Sequence, residues 1–136
     1  MAGANAPVAR TPTGRALVAA RVTLGVSTLL APRLAGRAFL LDPDANPQLA
    51  YVGRMWGARN LALAAGLAGI RGPTRRRWWA VNIAVDAIDA AASFVSWRRG
   101  ELDTPAAVLV TGVALVATVL GAASLEGEAD PAEGLL

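Results

Sequence analysis

The chain has 136 residues, enough for one domain, of which 54% are hydrophobic and 17% charged, with a formal net charge of +3. A soluble domain carries about 25% charged residues, so the composition argues against an ordinary water-soluble fold. There is no Cys and no His, which excludes disulfides, thiolate catalysis and Cys-ligated metals and removes the commonest general base and metal ligand.

All 13 basic residues are Arg, a usage that, with abundant Ala and Gly, fits GC-rich coding. The pI of about 11.0 invites a nucleic-acid partner. That reading fails because the arginines sit at helix ends and inside apolar spans rather than on one solvated face.

Residues 1–14, with Pro7 and Pro12, read as a disordered tail. The first span covers residues 16–31. It follows Arg10 and Arg15 as a secretion signal would, but Arg21 interrupts it and Leu29-Leu30-Ala31-Pro32-Arg33 is a poor cleavage site, so it reads as a retained helix. Pro32 ends it. Residues 33–41 suit a short interfacial helix with Arg33 and Arg37 one turn apart. Residues 42–47 form a Pro-rich loop, in which Asp42 and Asp44 read as solvated turn formers rather than metal ligands.

The second span covers residues 48–70, closed by Gly72 and Pro73. The basic cluster Arg75, Arg76 and Arg77 follows. The third span, residues 78–97, carries Trp78 and Trp79 at one end and Trp97 at the other, as interfacial depth markers. Together with the arginine cluster, these are the candidate headgroup contacts or topology anchors. After a turn at 100–103, Thr104-Pro105 suits a cap followed by Pro in the first helical turn. The fourth span, residues 105–125, has no charge, and residues 126–136 form an acidic tail.

The expected fold class is therefore all-α, a four-helix transmembrane bundle over residues 15–125. A soluble bundle would show a charged face on every helix; the fourth span offers only Thr111, Thr118 and Ser124 as polar residues. Four spans place both termini on one side with Arg10, Arg15, Arg71, Arg75, Arg76 and Arg77, against Arg33, Arg37, Arg98 and Arg99 on the other. Six against four favours cytoplasmic termini and a multi-pass protein of the cell membrane.

Five charges lie inside the expected spans: Arg21, Arg54, Arg59, Asp86 and Asp89. A charge at mid-membrane costs at least about 2.5–3.5 kcal/mol, so such residues face inward and find partners. Asn82, Asp86, Asp89 and Ser93 are spaced four, three and four, which stacks them as one polar stripe on the third helix. At a rise of about 1.5 Å per residue, Arg59 lies about 12 Å below the outer surface and Asp89 about 14 Å below it. Arg21 lies about 7 Å above the inner surface, within reach of Asp86 or Asn82. The expected pairs are Arg59–Asp89 and Arg21–Asp86, with Asn60 beside them. Arg54 is a leftover cation that either snorkels to headgroups or lines an outward polar cavity.

Gly53 and Gly57 form a GxxxG that permits close helix approach, within the bundle or at a dimer face, and Gly25 and Gly112 read similarly. No phosphate-loop spacing and no nucleophile–base constellation is present.

Gly53-Arg54-x-x-Gly57-Ala58-Arg59-Asn60, followed by Val85-Asp86-x-x-Asp89-Ala90, resembles small four-helix bacterial integral membrane proteins of unknown function, loosely similar to DoxX-like proteins. The resemblance covers roughly residues 15–125. It implies a four-span bundle and no activity.

The functional expectation is a non-enzymatic structural or accessory bundle with an ion-paired Arg/Asp core. The alternative is a small oligomeric transporter or carrier that uses the seam as an anion or proton site. Expected partners are the lipid bilayer and a second copy or another membrane protein; no cofactor, metal or nucleic acid is expected.

Overall fold

The computed structural model describes residues 11–127, which form five α-helices and no strand. These are α1 (Pro12–Leu30), α2 (Pro32–Ala38), α3 (Leu49–Gly69), α4 (Pro73–Arg98) and α5 (Thr104–Gly127). The two tails expected at the chain ends lie largely outside the described residues.

Caps move two boundaries outward from the sequence reading. Thr11 caps α1 by accepting the Gly14 backbone N–H at 3.1 Å, and Pro12 occupies the first turn, where its missing N–H costs nothing. Residues 12–14, expected in the tail, are therefore helical. Likewise α4 begins at Pro73 rather than Trp78, preceded by Gly72 at φ 68°, so Arg75, Arg76 and Arg77 belong to the helix. At the other end of the chain, Glu126 and Gly127, expected in the acidic tail, complete α5.

The long helices stand in the cyclic order α1, α3, α4, α5. α1 lies along α3 and α4 along α5, while α1–α5 and α3–α4 touch more sparingly. α1 and α4 stand diagonally opposite, with no close backbone approach. Gly57 makes the α1–α3 contact possible: a Cβ there would lie 2.7 Å from the Gly25 carbonyl oxygen and 2.6 Å from Thr28 Oγ1. Gly53 packs on Pro32. The GxxxG thus joins helices of one chain. Gly112 differs from the expectation, since a Cβ there would meet nothing within 4 Å.

The two helix pairs meet at the end where α1 starts and α5 finishes. Leu17, Leu67 and Trp79 form a small buried core there. Thr13 and Ser124 share a hydrogen bond of 2.9 Å, the Trp78 ring covers Gly66, and the Trp78 indole N–H donates to the Leu63 carbonyl. Toward the α2 end, the pairs diverge.

Burial does not sort by polarity alone. Arg21, Thr28, Asn60, Asn82, Asp86, Ser93 and Ser124 are buried, whereas Val22, Leu30, Met55, Ile88, Phe94, Val108 and Val119 are exposed. α4 and α5 are long and apolar enough to cross a membrane, and only 28% and 17% of their apolar windows are buried. A core helix of a soluble protein would be mostly covered. α1 and α3, with 19 and 21 residues, have spanning length but fall short in hydropathy.

The glycine contacts yield a direct comparison. Gly57→Ala must push α1 from α3 and is expected to cost about 1–3 kcal/mol, as overpacking does. Gly112→Ala is expected to be neutral or stabilising, because Ala favours helix over Gly. Thermal unfolding of both variants in detergent checks this, and equal midpoints would refute the close-contact account.

Candidate functional site

The strongest polar feature is a node across the diagonal of the bundle. Arg21 of α1 donates from Nη2 to Asp86 Oδ2 of α4 at 2.6 Å and from Nη1 to Asn60 Oδ1 of α3 at 2.9 Å. The Asn60 amide donates in turn to the Trp56 carbonyl at 3.0 Å. Arg21 and Asp86 are 3% and 4% exposed, so this is a buried ion pair shared among three helices. Arg suits the role, since its guanidinium stays charged and its fork serves two acceptors at once.

A second pair lies beside the first. Arg59 of α3 grips Asp89 of α4 with both terminal nitrogens, the Nη1–Oδ1 distance being 3.0 Å. Its side chains are 36% and 27% exposed, so it occupies the margin of the bundle. This corrects the expected stripe. The buried line on α4 is Trp79, Asn82, Asp86, Ala90 and Ser93, with Asp89 turned to one side toward α3.

The other seam residues make local bonds. Asn82 donates to the Trp78 carbonyl at 3.0 Å rather than meeting Arg21. Ser93 bonds Thr111 of α5 at 2.7 Å. Among the described residues, Nε of Arg21, Nε of Arg59 and Oδ1 of Asn82 are buried with no hydrogen-bond partner. Arg54 is exposed, with no ion pair among the described residues, and it does not line the cavity described below.

The tryptophans divide. Trp97 is 39% exposed and donates to Thr104 Oγ1 at 3.1 Å, consistent with a position at a helix end. Trp79 is fully buried and Trp78 partly so, which corrects their reading as surface depth markers. Trp79 shares the buried line of α4, three residues before Asn82, so the helical period turns it inward. Arg76 and Arg77 are exposed, and Arg75 reaches the Ile70 carbonyl at 3.4 Å.

Sequence reasoning missed the cavity. A volume of about 780 Å³ lies between the diverging helix pairs, bounded by α1, α2, α3, α4 and α5. Its walls are mostly aliphatic, from Leu24, Val52, Val113 and Val116 among others. Arg21, Asn60, Asp86 and Asp89 are its principal polar groups. The volume falls in the range of small-molecule sites, about 300–1,000 Å³. Gly112, read from the sequence as a close-packing residue, instead lines this open space.

Outside the bundle core, Asp44 accepts from both Arg33 and Arg37, the latter at 2.8 Å, and Asp42 Oδ1 accepts from the Asp44 and Ala45 backbone N–H groups. The two carboxylates thus organise the loop after α2. Among the described residues, no group of carboxylates is arranged to hold a metal.

In comparison with known proteins, no family model, no curated protein and no solved structure matches this chain.

Two predictions follow from these pairs. Arg21→Met strands Asp86 and is expected to destabilise by about 3–5 kcal/mol, while adding Asp86→Leu restores much of the loss. A double-mutant cycle on unfolding in detergent measures this; additive losses would remove the node from its structural role. For Asp44, the Arg37 hydrogen bond foremost, with the charges of both arginines, holds the carboxyl below its ordinary range despite some desolvation. Its folded-state pKa is depressed, so the loop clip is intact at neutral pH and is lost as pH falls through that lowered value. An NMR titration of the Asp44 carboxyl checks this, and a midpoint at or above the usual value of about 3.9 would contradict it.

Proposed function

We propose that the chain is an integral membrane protein in which α1, α3, α4 and α5 each span the bilayer, with both termini cytoplasmic and α2 lying at the outer interface. The observation that carries this reading is the burial of an Arg–Asp pair with several amide and hydroxyl side chains, while many large aliphatic side chains lie exposed along the long helices. In lipid, the exposed aliphatic surface has no reason to collapse, whereas every embedded charge must find a partner. The arginines of α1 and α3 meet the carboxylates of α4, so three helices of modest hydropathy hold their charges among themselves beside the strongly apolar α5.

Within that reading, the protein acts as a non-enzymatic structural or accessory bundle, and the Arg/Asp core sets which helices pack together. Arg54 reaches headgroups at the outer surface, and Arg75, Arg76 and Arg77 anchor the inner one. A bacterial cell membrane as the setting rests on the resemblance to small four-helix bundles alone. A second reading, a small carrier, is favoured by one observation: the cavity reaches Asp86 and Asp89.

The lack of native Cys makes the topology test clean. Single Cys at Ala45, Thr74 and Glu101 is expected to be extracted only with detergent. In intact cells, an impermeant maleimide should label positions 45 and 101 and spare 74. Release of the protein by carbonate without detergent, or equal labelling at all three sites, would overturn the four-span proposal.

A further inference from the structure

We propose that the cavity between the helix pairs binds an uncharged amphiphile, an elongated apolar molecule bearing one hydroxyl group, that enters from the bilayer. This rests on the membrane reading above and replaces an ion with a lipid-like ligand at the same polar groups.

Three observations define the ligand. First, the walls are aliphatic over most of their extent, so the body of the ligand is apolar. Second, the charges at the polar end are balanced: Arg21 is matched by Asp86 and Arg59 by Asp89. A lone anion would have to displace Asp86 from Arg21, and a lone cation would have to separate either aspartate from its arginine. Either leaves a charge uncompensated among apolar walls, which is costly. A neutral ligand brings no such penalty. Third, Asp89 lines the cavity with its side chain 27% exposed, so its carboxylate can accept a hydrogen bond from the hydroxyl of a neutral ligand without leaving Arg59.

The route of entry follows from the rim. Val52, Val108 and Val116 line the cavity and are 56%, 67% and 60% exposed. An opening edged with valines faces acyl chains, so a molecule already dissolved in the bilayer reaches the site without crossing water. Bound there, its hydroxyl would lie near Asp89, with its apolar part extending toward Gly112 and the open rim.

Trp56 lines the same cavity and provides the probe. Bromine quenches indole fluorescence on contact. The purified full chain in nanodiscs is titrated with a mid-chain brominated long-chain alcohol, and with the acid and amine of equal chain length. The alcohol is expected to give saturable quenching that disappears in Trp56→Phe. The acid and amine are expected to bind roughly tenfold more weakly or worse, the cost of burying an unpaired charge. Gly112→Leu should fill the cavity without a Cβ clash and abolish the saturable component. Val108→Phe at the exposed rim is the second blocking variant, should the first not fold. Linear, unsaturable quenching, tighter binding of either charged analogue, or quenching unchanged in a folded blocking variant would overturn the proposal. Failure of the membrane reading itself would appear in the extraction and labelling experiment, which does not depend on any ligand.

Discussion

The contact between Arg21 and Asp86 is what the rest of the architecture depends on. α1 and α4 are diagonal neighbours whose backbones do not approach, so beyond the Leu17–Trp79 core their polar connection is made by the reach of one guanidinium. The same guanidinium holds Asn60, bringing α3 into the arrangement. Three of the four long helices therefore converge on one side chain that is almost wholly removed from solvent. In a surface pair such an ionic bond would contribute little. Buried, neither partner tolerates loss of the other, and the pair selects one packing among the many that interchangeable Ala, Val and Leu surfaces would permit.

Much of this was legible because charges in an apolar chain are few and their spacing is informative. The helix count followed from apolar run lengths and proline positions, with α2 visible as a short segment after Pro32. The two ion pairs followed from counting depth along antiparallel helices, a one-dimensional calculation that needs no side-chain detail. The lateral arrangement was less accessible. Asp86 and Asp89 are three residues apart, about 300° around a helix axis, and periodicity alone does not say which of them faces the centre. Trp79 was misread for a related reason. Its interfacial preference is a statistical property of the residue, whereas its burial comes from sharing a face with Asn82 and Asp86. The cavity was not legible at all. Empty space depends on how far apart two helix pairs stand, which is set by packing between helices distant in sequence and not by the periodicity of any one of them.

The asymmetry between the two ends shapes the molecule's behaviour. One end is closed by an aromatic core, a hydroxyl pair and the tryptophan lid over Gly66. The other is filled by aliphatic side chains that do not meet across the gap. The polar node sits where closed and open regions join. α5 is the long helix least constrained by this framework. It contributes no charge to the core, and its side-chain hydrogen bonds to other helices, Ser93–Thr111 and Thr13–Ser124, are between neutral hydroxyls.

The order of charges along the chain bears on biogenesis. Arg21 and Arg59 precede Asp86 and Asp89 in the chain, so in the proposed topology the cationic helices would meet the insertion machinery before their counterions are translated. Arg is among the residues least readily accepted at a helix centre by that machinery. Under the proposed four-span topology, the first two spans would be stably lodged only once α4 supplies their carboxylates, and a chain truncated before α4 would lack them.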